Sequence, residues 1–154
     1  MSVTSPRLAR FAQGPNVLFC YGTLRFGDVL QALLGRIPER VPASAPGYRA
    51  AALQGRVYPG LIVCANGSSA PGVALTDLSS DEWRILDAFE DERYDLREVA
   101  LSTGGSGLAY IWPGGDVRTE DWDAEDFERQ HLAAYAARCA RIAPRLAAGE
   151  PKGE

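Results

Sequence analysis

The sequence predicts an α+β domain: a mixed, largely antiparallel, barrel-like sheet of five to six short strands with helices packed outside it. Three observations predict it. Short apolar runs bounded by glycine and proline recur along the chain, at lengths that suit strands. Most breaks between them are hairpin-like turns, such as Asn66-Gly67 and Gly104-Gly105-Ser106-Gly107, which join antiparallel neighbours. Few segments carry helical periodicity, and one of them, residues 80–90, lies between two strand-like runs. Hairpins in that proportion disfavour a doubly wound parallel sheet.

The elements follow in order. Residues 17–21 are almost wholly apolar and predict a buried strand. A loop follows, Gly22 to Gly27, and then a helix through Leu34 that Asp28 can cap, with Gly35 as its stop. Residues 36–47 hold Pro38, Pro42 and Pro46 and predict an irregular connection. Strands are expected at 48–53, 61–64 and 72–75, with Pro59-Gly60 and Asn66-Gly67 as turns. Ser79 or Ser80 caps the next helix, with Asp81 and Glu82 in its first turn where the helix dipole favours negative charge. Strands at 94–101 and 108–112 flank the glycine turn. One last helix begins at the Asp123 cap, and its apolar face runs Phe127, Tyr135, Cys139, Ile142.

The chain has 154 residues, 46% apolar and 23% charged, which fits one domain with a real core. Its bounds are read as 17–146, with 1–16 a flexible leader and 147–154 a frayed tail. A net charge of −4 gives no reason to expect nucleic acid or an anionic membrane as partner. No run reaches the roughly 20 apolar residues that span a bilayer, and the leader lacks the apolar stretch of a secretory signal. The three cysteines, Cys20, Cys64 and Cys139, are odd in number and lack metal-binding spacing. Cys20 and Cys64 read as small buried residues, which suits a reducing cytoplasm. Neither a metal nor another cofactor is expected, and the sequence carries no signal of oligomeric state.

Two constellations could carry chemistry. Tyr21-Gly22-Thr23-Leu24-Arg25 turns the chain after a buried strand, and backbone N–H groups in such a turn bind carboxylates or developing oxyanions. The same turn can also simply end a strand. It is no P-loop, because Asp28-Val29 stands where Lys and Ser/Thr are required. The second is the acidic helix end Asp87, Glu90, Asp91, Glu92. Helical spacing sets Glu90 at the edge of the stripe formed by Trp83, Ile85, Leu86 and Phe89, where a charge is costly unless paired, hydrogen-bonded or functional. Burial there would raise its pKa and suit it to accept protons near neutral pH. Asp87 points elsewhere and reads as exposed or capping a neighbour, and Asp91 and Glu92 read as solvated. His131 falls on the packed face of the last helix as a structural histidine. Tyr58, Tyr94 and Tyr110 read as core residues with edge hydroxyls, and the Pro59-Gly60 turn can push the Tyr58 ring towards a pocket.

Phe19-Cys20-Tyr21-Gly22-Thr23-Leu24-Arg25, Val57-Tyr58-Pro59-Gly60-Leu61, Leu86-Asp87-Ala88-Phe89-Glu90-Asp91 and Tyr94-Asp95-Leu96-Arg97 occur in that order. In these segments the chain resembles the gamma-glutamylcyclotransferase-like superfamily, nearest its plant avirulence-induced-gene branch and that branch's bacterial relatives. The resemblance implies a compact mixed barrel with a cavity at its mouth. It also implies loop amides at Tyr21, Gly22, Thr23 and Leu24 that hold a γ-glutamyl head group, and Glu90 as the general base. Tyr58 and Tyr94 complete the expected binding set, with Tyr58 on the leaving-group side. Many members have Glu-Gly where this chain has Glu90-Asp91, and Tyr-x-Arg where it has one residue more before Arg97.

The implied reaction is closure of the substrate's own α-amine onto its γ-carbonyl, releasing 5-oxoproline and an amine or amino acid. A non-catalytic small-molecule-binding or interaction domain on the same scaffold is the alternative, and an amidohydrolase a third. Selectivity for the leaving group is expected from residues 36–47 and the last helix. Physics alone sets one demand: Glu90 should line a cavity within reach of the Gly22 turn.

Overall fold

A strand buried on both faces organises the molecule. In β7 (Ser106–Ile111) alternate side chains enter two different cores. Leu108, Tyr110 and the adjoining Trp112 enter one, and Ala109 and Ile111 the other. β1 (Leu18–Cys20) is divided the same way, Leu18 and Cys20 against Phe19 and Tyr21, which is why its sequence reads as one apolar run. The structure, a computed structural model, describes residues 5–150.

The remaining strands are β2 (Arg40–Pro46), β3 (Tyr48–Leu53), β4 (Gly60–Val63), β5 (Ser69–Leu75), β6 (Asp95–Ala100) and β8 (Val117–Asp121). They form one sheet in the order β2-β5-β1-β7-β4-β3-β8, with β6 also paired to β7. Pairing is antiparallel except where β1 and β4 meet β7. β3 contacts β5 across several intervening strands, so the sheet curls over its inner core without closing. That core is built of small residues, Ala45, Ala50, Ala70, Ala74 and Ala109, around Phe19, Tyr21 and Leu61. The helices cover the other core: α2 (Gly27–Leu34), α3 (Ser80–Phe89), α4 (Ala124–Gln130) and α5 (Leu132–Ala147).

One irregularity positions the site. β6 runs along the whole of one edge of β7, but the other edge is shared. Leu108 N–H donates to Val17 of the β1 segment (2.8 Å), and Trp112 N–H donates to Leu61 of β4 (3.0 Å). β1 and β4 therefore diverge from one edge, and the sheet forks between them. Tyr21 fills the fork: its hydroxyl donates to the carbonyl of Tyr110 at 2.5 Å.

Several expectations are corrected. The described residues form eight strands, not five to six. Residues 40–46 form a strand despite two prolines, because β2 pairs only with β5 and is an edge. Ser44, midway between Pro42 and Pro46, turns its N–H outward to Ser102 Oγ (2.9 Å), so by alternation the two proline nitrogens face away from β5 as well. β8 was not expected; it is a largely exposed edge with no apolar alternation to reveal it. Val63 is 69% exposed and Cys64 half-buried, so the run 61–64 is buried only at its start.

The last helix is two, bent at His131 (φ −128°). In a straight helix Phe127 and Tyr135 would stand about 12 Å apart along the axis; the bend brings their rings edge-on at 5.3 Å. His131 itself packs beside Phe127, ring centroids 5.9 Å apart.

The expected loose leader is docked over its described part. Residues Pro6–Ala9 form a short helix, α1, capped by the Ser5 hydroxyl, and Arg7 is hydrogen-bonded to Asp87. Residues 1–4 and 151–154, parts of the leader and of the expected frayed tail, lie outside the described residues.

Capping follows the sequence except at α2, where Asp28 lies in the first turn and the cap position is Phe26, with no side-chain cap bond. Gly35 ends α2 in the left-handed region (φ 79°). Ser79 and Glu82 form a reciprocal capping box at the start of α3. Glu82 also takes a bidentate bond from Arg36 (2.6 and 2.7 Å), which holds its carboxyl down at about 2. A depressed carboxylate contributes stability above its unfolded pKa, near 4.3, and loses it as pH falls through the folded value. Arg36→Ala is therefore expected to lower the melting temperature by about 2–4 °C at pH 7. The difference from wild type should shrink between pH 4.5 and 2 when both are melted across that range.

Candidate active site

At the open end of the fork lies a cleft of about 910 Å³. Three segments build it: the end of β1 and its following turn, the loop 55–59 before β4, and the end of α3 with the residues after it. α5 closes one side with Tyr135 and Arg138.

After Tyr21 the chain makes a single 3-10 turn, Thr23–Arg25, with Gly22 at its start. The opening N–H groups of a helical turn have no intrahelical acceptor, and Gly22, Thr23 and Leu24 all line the cleft. The glycine is required by close approach, since a Cβ on Gly22 would lie 2.9 Å from Pro59 Cγ and 3.0 Å from its Cδ. Pro59 is in turn fixed by Tyr94, whose hydroxyl donates to the Pro59 carbonyl at 2.5 Å. Gly22→Ala is expected to push these two walls apart and destabilise the fold by about 1–3 kcal/mol, measured by urea unfolding.

Glu90 is not inside the helix. It is the C-terminal cap of α3, already extended (φ −69°, ψ 142°), with its N–H still bonded to the Leu86 carbonyl (3.1 Å). The helical projection that drew attention to it therefore stops one residue short. Its half-buried side chain lines the cleft together with Gly22. Its charge reaches the whole cluster around it. Burial pushes the Cys20 thiol and the Tyr21 and Tyr135 phenols up, and the Glu90 carboxylate pushes each further. Tyr94 is raised by burial, then by Tyr21, then by Glu90. Tyr110 is raised by burial and by Asp87, and less by Glu90. The phenols facing the carboxylate are neutral at physiological pH: donors, not bases.

Tyr58 lies on the cleft wall and donates to Asp91 Oδ2 (3.1 Å), so Asp91 is not the solvated acid expected. Glu92 is exposed. Arg56 and Arg93 both stack on Trp112, at 5.0 and 4.3 Å from the ring centroid, and both pair with Asp116, which ties the 55–59 loop to the segment after Glu90. Arg97 points to Asp95 (2.9 Å) and is not among the cleft residues. Nor is any residue of 36–47, the stretch expected to set selectivity; loop 55–58 and α5 line the cleft instead. Tyr135 and Arg138, three apart on one helix, were legible as a shared face.

Asp87 is the largest correction. Expected to be exposed or to cap a neighbour, it is 4% exposed and accepts from Ser5 Oγ (2.5 Å), Arg7 Nε (2.8 Å) and Tyr110 Oη (2.7 Å). No local pattern could show this, because Arg7 lies 80 residues away. Among the described residues no group of His, Cys, Asp and Glu could hold a metal ion, and no helix is long and apolar enough to cross a membrane.

Residues 18–129 match the family described as gamma-glutamyl cyclotransferase, AIG2-like. The chain belongs to that family. It is 32% identical to AIG2-like protein D of Arabidopsis thaliana over 126 residues, covering 77% of this chain and 82% of that one. With AIG2-like protein C of the same plant it shares 36% over 121 residues, 74% and 69% of the two chains. The fold superposes on the solution structure of At5g39720.1 from Arabidopsis thaliana with a TM-score of 0.61 and 27% identity, over 88% of this chain and 94% of that one. The AIG2-like match contains both the Tyr21–Arg25 turn and Glu90, whereas Ser5, Arg7, Tyr135 and Arg138 fall outside it.

Proposed function

We propose that this AIG2-like protein is a gamma-glutamylcyclotransferase acting in the cytoplasm on a small γ-glutamyl substrate. One observation carries the reading: a half-buried carboxylate, Glu90, and the turn Gly22–Leu24 line the same cleft. The cysteines are free, which is compatible with a reducing compartment.

The substrate's α-carboxylate sits on the N–H groups of Gly22, Thr23 and Leu24, donors that anions favour. That places the α-ammonium towards Glu90. Glu90 takes one proton; the freed nitrogen attacks the γ-carbonyl carbon and closes a five-membered ring. The tetrahedral centre then collapses: Glu90 returns its proton to the leaving nitrogen, the bond to that nitrogen breaks, and the second proton of the ring nitrogen passes through Glu90 to the departing amine, leaving the neutral lactam and the amine as its ammonium ion. Water is not consumed, and no cofactor takes part. Holding the two ends of one molecule at attack distance supplies much of the acceleration. The neutral phenols of Tyr21, Tyr94 and Tyr135 surround Glu90 without competing as bases. Tyr58 and Arg138 border the leaving group.

The experiment is release of 5-oxoproline, followed by mass spectrometry, from a panel of γ-glutamyl amino acids and γ-glutamyl amines. Turnover of at least one member is the expected result. Release of glutamate would show water as the nucleophile, and no turnover across the panel would overturn the reading.

A further inference from the structure

Arg7 commits its whole hydrogen-bonding capacity to one place. Nε donates to Asp87 Oδ1 (2.8 Å), Nη1 to the carbonyls of Asp91 (2.9 Å) and Tyr94 (2.7 Å), and Nη2 to the carbonyls of Asp87 (2.8 Å) and Glu90 (3.2 Å). A guanidinium has five N–H donors, and this uses them all. Four of the acceptors are main-chain oxygens in the last turn of α3 and the segment beyond it. Helix ends leave such carbonyls without intrahelical donors, and their partial negative charge favours a cation.

The same cluster reaches the other side of the cleft. Asp87, paired with Arg7, accepts from the Tyr110 hydroxyl (2.7 Å), while the Tyr110 carbonyl accepts from the Tyr21 hydroxyl (2.5 Å). The Arg7 guanidinium lies 4.9 Å from the centre of the Tyr110 ring. One connected set of bonds thus runs from the backbone of Glu90, through Arg7, Asp87 and Tyr110, to the residue before Gly22. It joins the two walls that the reaction needs at a fixed separation.

We propose that Arg7 is a positioning residue of this site: it fixes the backbone of residues 90–94, and thereby sets the carboxylate of Glu90 against the Gly22 turn. Its effect on turnover rests on the cyclotransferase reading above; its effect on the segment does not. Arg7 is not among the residues that line the cleft.

Full-length Arg7→Lys and Arg7→Ala test it, with melting temperature, hydrogen exchange of the amides of residues 90–94, and kcat and KM as readouts. Lysine keeps a charge opposite Asp87 but has three donors on one atom and cannot serve four spread carbonyls. Arg7→Lys is expected to melt within about 4 °C of wild type. Exchange at 90–94 should rise at least about tenfold while exchange in β7 stays at the wild-type rate. Its kcat should fall about 10–100-fold, with KM changed less than about threefold. Arg7→Ala should lose more, and millimolar guanidinium ion should restore part of its kcat.

Unchanged exchange at 90–94 in Arg7→Lys overturns the proposal, whether or not kcat falls, since any loss would then not run through this segment. So does wild-type kcat in an active enzyme. If the wild type turns over no γ-glutamyl substrate, it is the cyclotransferase reading that fails, and exchange alone decides whether Arg7 holds the segment.

Discussion

Glu90→Gln is expected to lower kcat for 5-oxoproline release by about 10²–10⁴-fold, the range by which a positioned general acid–base accelerates proton transfer. The substitution changes little else. Glutamine has the shape of glutamate, and two main-chain bonds at residue 90, its N–H to Leu86 and its carbonyl from Arg7, are untouched. The melting temperature should therefore move by no more than about 4 °C. KM should stay within about threefold, because the groups proposed to hold the head group lie on another segment, Gly22–Leu24.

The loss should also depend on pH. A substrate α-ammonium has a pKa near 8, so above that value the amine is already free and the first proton transfer needs no base. The gap between variant and wild type should narrow between pH 7 and 9, without closing, because the leaving nitrogen still needs a proton. Rates equal to wild type at pH 7 would remove Glu90 from the mechanism.

The sequence exposed those features whose cause is local. β1 is legible because both of its faces are buried, so Leu18, Phe19, Cys20 and Tyr21 are all apolar or aromatic. Ser79 and Glu82 are three residues apart and cap one helix. The Tyr21–Leu24 turn and Glu90 are legible as motifs, and both line the cleft. What stayed hidden has non-local causes. An edge strand such as β2 needs only every second N–H for pairing, so its prolines mislead a local reading. β8 pairs along one edge with β3 and is exposed from Arg118 to Asp121, with no alternation to mark it. Gly22 looked like a turn glycine; its constraint is Pro59, which nothing near Gly22 in sequence announces. Asp87 looked like a surface acid, because the residues that partner it, the cation Arg7 and the donor Ser5, lie in a stretch with no pattern of its own. Composition and periodicity report whether a position is buried, not which partner buries it.

The pair hidden in that way carries the largest expected effect on stability. Asp87→Ala should destabilise the protein by about 3–5 kcal/mol, the cost of leaving a buried charge without its partner. The Arg7 side chain is only 14% exposed, and the hydroxyls of Ser5 and Tyr110 lose their acceptor together with it. Asp87→Asn should cost less, about 1–3 kcal/mol, because the amide oxygen still accepts and the Ser5 hydroxyl can reverse to receive the new N–H. Removing both charges should cost less than removing the carboxylate alone: an Arg7→Met, Asp87→Leu double variant replaces a buried ion pair with apolar groups, a change often neutral for stability. Urea unfolding of the three variants measures these differences. Turnover should part from stability in the double variant, which regains packing but has nothing to hold the carbonyls of Glu90, Asp91 and Tyr94. If Asp87→Ala costs less than about 1 kcal/mol, the pair is solvated and α1 is not docked on α3 in solution. An Arg7→Met, Asp87→Leu variant with wild-type kcat would show instead that the end of α3 keeps its geometry without the clamp.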